Sequence, residues 1–153
     1  VRNGDINFVA GTIEQITEIS KRGKEVAKKY GNPIKTYALY TLIIADTDEE
    51  AKAIEQHYIA GTDAASFEKL QEARKNDKGG STTTDLLGEI FIAPTLVGSP
   101  ETIVDIFEHL EKETDIDGLI LTFPDYVEDF DYFEKNVLPL IKTRGLHKTL
   151  ATV

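Results

Sequence analysis

Histidine and cysteine carry much of the metal and nucleophilic chemistry of proteins, and this chain has few of them. Its 153 residues contain no cysteine, which excludes disulfides, thiolate metal sites and thiol nucleophiles. His57, His109 and His147 stand far apart, without any His-x-x-x-His or Glu-x-x-His pair. A Gly-x-Ser-x-Gly nucleophile elbow and a Rossmann fingerprint are also absent from the sequence. We therefore predict no metal site and no catalytic residue in this chain.

Two polar clusters superficially resemble ligand sites. Gly79, Gly80 and Ser81 could cradle a phosphate through backbone amides, but the P-loop Lys-Ser/Thr spacing is missing, and a plain flexible loop is favoured. Residues 45–51 (ADTDEEA) hold four carboxylates without the alternating pattern and glycine of a calcium loop. Acidic residues in the first turn complement a helix dipole, so this cluster is interpreted as a helix start.

The carboxylates around the start of the last predicted helix are mostly interpreted as a solvated face. Asp125 is different, because it directly follows the predicted strand 118–123. In β/α barrels, ligand sites are built at the carboxyl ends of the strands. Thr122, Phe123 and Asp125 are therefore candidates for residues that face a ligand.

Hydrophobic patterning predicts an alternation of strands and helices, which is typical of a parallel sheet covered by helices. The predicted strands are residues 5–10, 35–45, 95–97 and 118–123. The predicted helices follow Thr12, Thr47 and Ser99 as N-caps, and two more span residues 64–75 and 127–144. Residues 77–87 are predicted to be a mobile loop. In the last helix we expect a bend at Pro139 and an inward-facing stripe of Val127, Phe130, Phe133, Val137 and Leu140.

Composition excludes several classes of function. The net charge of −10 disfavours nucleic-acid binding, because such a surface repels phosphate backbones. No apolar run is long enough to span a membrane, and no signal peptide opens the chain, so we expect a cytoplasmic protein without a membrane partner. The chain begins at Val1 and has no methionine, and this opening looks like the middle of a protein. We expect a fragment.

Two stretches carry a family resemblance: TLVGSPETIVDIFEHL, and DGLILTFPDYVEDFDYFEKNVLPLIKTRG after it. The Val-Gly-Ser turn before a helix, the strand with Gly118 and the NVLPLI helix resemble the C-terminal end of the bacterial-luciferase-like, flavin-dependent monooxygenases. Further pieces, such as YTLIIADTDEEA, are most similar to the pyrimidine-oxidising members. The resemblance covers nearly the whole chain.

The resemblance implies a fold and a reaction. Residues 1–145 would be the C-terminal portion of a TIM (β/α)8 barrel, with parallel strands and covering helices, and residues 146–153 a tail. The protein would use reduced FMN and O2 to oxidise a pyrimidine-like or other small organic substrate. A flavin reductase would supply the reduced FMN, and we expect a homo-oligomer.

The resemblance also implies where the site lies. The family's main flavin contacts are on earlier strands without a counterpart here, so we expect flavin contacts mostly outside this chain and an inactive fragment. Candidates that face substrate or cofactor are Asn7, Phe8, Thr122, Phe123 and Asp125. Residues 77–94 match the position of the family's active-site lid, with Ser81 and Thr82 as lid residues.

Two alternatives stay open. Within the family, the chain could come from an alkanesulfonate-type monooxygenase or from a flavin- or deazaflavin-dependent reductase. Outside enzymology, it could be a non-catalytic α/β fragment that assembles with itself or with a partner half. Three strands of an eight-stranded barrel would leave two open edges and an uncovered apolar face, which must be paired.

Overall fold

The longest strand organises the sheet in this computed structural model, which describes residues 4–63, 65, 68–69, 72 and 93–146. The strands are β1 (Ile6–Val9), β2 (Lys35–Ile44), β3 (Thr95–Gly98) and β4 (Gly118–Thr122). All pairings are parallel, and each of them involves β2. The parallel sheet predicted from the alternating pattern is confirmed.

Strand β2 is long enough to hold two strands end to end on one edge. Lys35 and Thr41 donate their N–H groups towards β1 and β3, whereas Thr36 accepts from Asp117 next to β4. Successive residues of a strand turn their backbone groups to opposite edges, so β1 and β3 share one edge of β2 and β4 occupies the other. Within the described residues, the outer edges of β1, β3 and β4 have no strand partner, as expected for an open arc.

The first two helices begin and end where local signals predict. Helix α1 (Ile13–Tyr30) starts with a capping box at Thr12 and ends at Gly31, whose φ of 67° is the left-handed conformation that glycine adopts easily. Helix α2 (Asp48–Gly61) starts with the predicted capping box of Thr47 and Glu50. These caps satisfy N–H groups that have no partner inside a helix.

Helix α3 (Pro100–Glu113) forms the centre of the helix layer. The Ser99 side chain accepts from the N–H of Thr102, and Pro100 occupies the first turn, as predicted. Its buried residues pack against one face of the sheet together with α1 and the last helix. This core contains Val9, Ala38, Tyr40 and Leu42 from strands, and Ile16, Ile103, Val104, Phe107, Leu110, Phe133 and Val137 from helices.

The last helix is divided by one π-helical turn. It runs as α4 (Glu128–Tyr132), the π segment Phe133–Val137 and α5 (Leu138–Arg144). Pro139 has no N–H and its ring crowds the carbonyl four residues earlier, which accounts for the irregular turn just before it. The Asn136 side chain donates to the carbonyl of Tyr132 at 3.0 Å.

The predicted inward stripe of this helix is partly wrong. Phe133 and Val137 are buried and Leu140 is half-buried, but Val127 is 79% exposed and Phe130 is 51% exposed. Phe133, Val137 and Leu140 keep one covered stripe through the π segment into α5. Val127 is the N-cap of α4 and precedes its first helical residue, so its side chain lies outside this stripe.

Two predictions fall largely outside the described part of the chain. Of the predicted helix 64–75, the described residues Ala65, Glu68, Lys69 and Glu72 are helical. Most of the predicted loop 77–94, which includes Ser81 and Thr82, lies outside the described residues.

Candidate functional site

The sheet has one face that the helix core does not cover, here called the open face. Side chains alternate along a strand, and paired residues of parallel strands point to the same side. The strand residues of the helix core all belong to the other side. The open face comprises Ile6 and Phe8 of β1, Lys35, Tyr37, Leu39, Thr41 and Ile43 of β2, Thr95 and Val97 of β3, and Gly118, Ile120 and Thr122 of β4.

Apart from Lys35, the beginning of the open face is formed by large apolar and aromatic side chains, some of them strongly exposed. Ile6 is 51% exposed and Phe8 is 65% exposed, while Tyr37, Leu39 and Ile120 are partly covered. Large exposed apolar side chains grouped on one face indicate an interaction surface or a ligand surface rather than an ordinary protein exterior.

The end of the open face carries hydroxyl groups. Thr41 Oγ1 and Thr122 Oγ1 are 2.8 Å apart, and Thr122 Oγ1 also lies 3.3 Å from the carbonyl oxygen of Tyr40. On the other edge of β2, the Thr95 hydroxyl donates to Glu55 of α2 at 3.4 Å. Thr122 thus places a hydroxyl group at the carboxyl end of β4, the end of the strands at which β/α barrels build their sites.

The sequence-predicted candidates divide between the two faces. Phe8 and Thr122 lie on the open face. Asn7 lies on the opposite face, where its amide nitrogen would be 3.7 Å from a β-carbon added to Gly23 of α1. Phe123 is buried in an aromatic cluster with Tyr126, Phe130 and Phe133, with ring centroids 5.7–6.2 Å from its own.

Asp125 closes the turn that leads into α4. Its Oδ1 atom accepts from the N–H groups of Val127 at 2.8 Å and Glu128 at 3.0 Å. The hydrogen bond from the Glu128 N–H and then that from Val127 lower the pKa of the Asp125 carboxyl group. The side chain therefore has a structural role that accounts for its position at the strand end.

A tyrosine–carboxylate pair lies near the carboxyl end of β2. The Tyr132 hydroxyl donates to Asp46 Oδ1 at 2.6 Å and joins the last helix to the segment after β2. Burial, followed by the hydrogen bond to Asp46, raises the pKa of Tyr132 to about 12. Sequence reasoning missed both this pair and Thr41, because the partners are more than 80 residues apart in the chain.

The amino-terminal end of α3 is occupied by a carboxylate of the protein itself. Asp48 Oδ1 accepts from the Ser99 N–H at 2.7 Å, and Oδ2 accepts from the Thr102 hydroxyl at 3.1 Å. The Ser99 N–H, and then the Thr102 hydroxyl, lower the pKa of Asp48. The acidic segment 45–51 thus starts one helix and caps another, in agreement with its interpretation as a helix start.

A groove with a volume of about 350 Å³ lies on the helix side of β4. Its apolar walls include Phe107, Leu110, Ile116, Leu119, Leu121 and Phe133. Ligand sites in proteins combine apolar walls with a few convergent polar groups. Only Glu111 and Asp117 add charge to this lining, so its composition is that of a helix-packing surface.

Metal and membrane sites find no support in the described residues. In that part of the chain, no group of three histidine, aspartate or glutamate side chains is arranged to hold a metal ion. No described helix is long and apolar enough to cross a bilayer. His57 and His109 are exposed on their helices.

Comparison with known proteins relates this geometry to a family. No protein-family model matches the chain. The pyrimidine monooxygenase RutA of Klebsiella pneumoniae is 30% identical over 94% of the chain, and the match covers 43% of RutA. The chain is a relative of the luciferase-like flavin-dependent monooxygenases. The resemblance predicted from the sequence motifs is therefore confirmed, although the chain spans less than half the length of these luciferase-like relatives.

Solved structures agree on the fold. DmoA from Hyphomicrobium sulfonivorans has a TM-score of 0.73 at 23% identity, over 94% of this chain and 38% of DmoA. The riboflavin lyase RcaE, solved with modified FMN and riboflavin, has a TM-score of 0.70 at 22% identity, over 98% of this chain and 41% of the lyase. The predicted fold class, part of a luciferase-like TIM barrel with parallel strands and covering helices, is confirmed.

Proposed function

We propose that the protein carrying this chain is an FMN-dependent monooxygenase that acts on a pyrimidine-like ring. The observation that carries this proposal is the 30% identity to a pyrimidine monooxygenase across 94% of the chain. When bound, reduced flavin supplies the two electrons with which one oxygen atom of O2 enters the substrate and the other leaves as water. A flavin reductase would provide that reduced flavin, and the cytoplasm is the proposed location.

The described residues fit the ring of a flavin or substrate better than a phosphate. Near Thr122 the open face offers the apolar side chains Leu39 and Ile120 beside the Thr122 hydroxyl, which suit a flat, uncharged ring. The N–H of Ser99 at the start of α3 is already bonded to Asp48, so a phosphate would have to displace that carboxylate. We therefore propose that residues 1–145 contribute to a ring site within a larger barrel and that the phosphate is held elsewhere.

Turnover by the full-length protein tests the substrate. The protein is supplied with NADH, a flavin reductase, FMN and ¹⁸O2, and then with uracil or an alkanesulfonate in separate reactions. We expect uracil-dependent oxygen consumption and one labelled oxygen atom per product molecule. Oxidation of the alkanesulfonate alone would favour the alternative monooxygenase, and absence of any substrate-dependent consumption would contradict the proposal.

Flavin titration of the 153-residue chain tests the location of the cofactor contacts. If most contacts lie outside this chain, FMN fluorescence changes little when the chain is added at micromolar concentration. Under the same conditions the full-length protein binds FMN. Tight one-to-one binding by the chain alone would contradict the proposed division of the site.

Self-assembly is a second candidate role, favoured by the strand edges that have no partner among the described residues and by the exposure of Ile6 and Phe8. Parallel strands with free edges and an apolar face are templates for pairing. If assembly is the function, the chain forms a soluble oligomer of fixed stoichiometry in sedimentation experiments. A monomer, or aggregates without defined size, would count against this role.

A further inference from the structure

We propose that Thr122 accepts a hydrogen bond from a ring N–H of the heterocycle bound at the open face, and that Thr41 orients it. This inference rests on the proposed function and specifies how the ring is held. Thr122 is the last residue of β4, at the carboxyl end of that strand, and the residue is half-buried rather than fully enclosed.

The direction of the two hydroxyl hydrogen bonds follows from counting donors. Each threonine hydroxyl has one hydrogen and two acceptor lone pairs. Thr41 is only 3% exposed, and within the described residues its hydroxyl has a single partner, Thr122 Oγ1 at 2.8 Å. Thr122 has a second partner, the Tyr40 carbonyl at 3.3 Å, which can only accept.

Only one arrangement satisfies both hydrogens. Thr41 donates to Thr122, and Thr122 donates to the carbonyl of Tyr40. In the opposite arrangement, the buried Thr41 hydrogen would have no acceptor among the described residues, which is unfavourable. The favoured arrangement uses the Thr122 hydrogen and one of its lone pairs, so that the remaining lone pair can accept from a ligand.

The surroundings of Thr122 restrict the ligand further. Its neighbours on the open face are Ile120 along β4 and Leu39 along β2, and both are apolar. A single acceptor beside apolar side chains suits an uncharged planar ring that carries one N–H donor. Uracil has such N–H groups, and so does the pyrimidine part of the flavin ring system.

The experiment measures equilibrium binding to the full-length protein by calorimetry. Uracil is compared with 1,3-dimethyluracil, and FMN with its N3-methyl derivative, because methylation removes the N–H donor. Thr122→Val removes the acceptor at nearly constant shape, Thr122→Ser keeps it, and Thr41→Val removes only the orienting donor. Thermal unfolding of every variant checks that it folds.

We expect Thr122→Val to raise the Kd of one N–H ligand by about tenfold, the value of one hydrogen bond. The Kd of its N-methyl analogue stays unchanged, and Thr122→Ser binds both as wild type does. Thr41→Val also raises the Kd of the same N–H ligand, by a smaller factor. An effect confined to uracil assigns the contact to the substrate, and one confined to FMN assigns it to the cofactor.

Two outcomes would overturn the inference in different ways. If wild type binds and oxidises uracil but Thr122→Val weakens N–H and N-methyl ligands equally, the contact is only steric and the proposed function survives. If wild type binds neither uracil nor FMN, the proposed function fails and this inference fails with it.

Discussion

The ring of Tyr37 lies directly against the backbone of Gly118 on the neighbouring strand. The two residues are opposite each other in the register of β2 and β4, and a β-carbon at Gly118 would lie 2.8 Å from Cε1 and 3.0 Å from Cδ1 of Tyr37. Real β-carbons do not approach a ring so closely, so the absence of a side chain at Gly118 fixes where this tyrosine rests on the open face.

Replacement of Gly118 by alanine is therefore expected to strain β4. We expect Gly118→Ala to lower the free energy of unfolding by about 1–3 kcal/mol, the usual cost of overpacking, as measured by urea denaturation. In a Tyr37→Ala background the same change becomes nearly neutral, because the ring is gone. An equal loss in both backgrounds would show that the glycine is needed for another reason.

Truncation of a side chain in the helix core is expected to lower the free energy of unfolding more than truncation of a side chain on α2. Ile103 of α3 is fully buried against the sheet, whereas Ile54 of α2 is 38% exposed. We expect Ile103→Ala to lower the free energy of unfolding by about 2–5 kcal/mol. Ile54→Ala, the matched control, changes it by no more than about 0.5 kcal/mol. Similar losses for both variants would contradict the assignment of the core to the α3 side.

The Asp48 bridge predicts a dependence of stability on pH. Its pKa is lowered in the folded chain, so its stabilising effect is present above the ordinary aspartate pKa of about 3.9 and is lost as pH falls through the folded value. Asp48→Asn should lower the unfolding midpoint at pH 7 and show a weaker further decline between pH 5 and pH 3 than wild type.

Glu49→Gln serves as the control for this bridge, because it removes a charge from the same helix turn and leaves the contacts to Ser99 and Thr102 in place. Its pH profile should follow that of wild type. If Asp48→Asn and wild type decline in parallel, the bridge does not contribute to acid stability.

Exposure of the open face predicts that the isolated chain binds hydrophobic dyes and self-associates. Phe8→Ser should reduce both the fluorescence of bound anilinonaphthalene sulfonate and the sedimentation coefficient, because Phe8 is the most exposed large side chain of that face. Tyr30→Ser, at the exposed end of α1, removes a similar ring elsewhere and should change neither. Equal effects of Phe8→Ser and Tyr30→Ser would show that dye binding and self-association are not specific to the open face.

Local signals in the sequence predicted most helix boundaries. Thr12, Thr47 and Ser99 cap their helices as expected, because a cap depends on residues within one turn of each other. Gly31 ends α1 for the same reason. The strands were also predictable, because long apolar runs alternate with helical patterns along the chain.

The contacts that shape the candidate site could not be predicted in this way. The pairs Thr41–Thr122, Asp46–Tyr132 and Asp48–Ser99 join residues that are 51 to 86 positions apart, and no local pattern encodes them. The helical period places Phe130 in one stripe with Phe133, and it does not show that Phe133 is buried while Phe130 is 51% exposed. Asn7 was expected near the cavity from its position in β1, and only the register shows that it points towards α1.

Strand β2 is the common partner of the other three described strands. Among the described strands, β1, β3 and β4 each bond to residues of Lys35–Ile44 and to none of one another. Without that segment, the remaining strands have no template on which to align, so the sheet should assemble in a single cooperative step rather than strand by strand. Loss of the segment Lys35–Ile44 would therefore remove all three pairings together, whereas loss of β4 would remove only its own pairing.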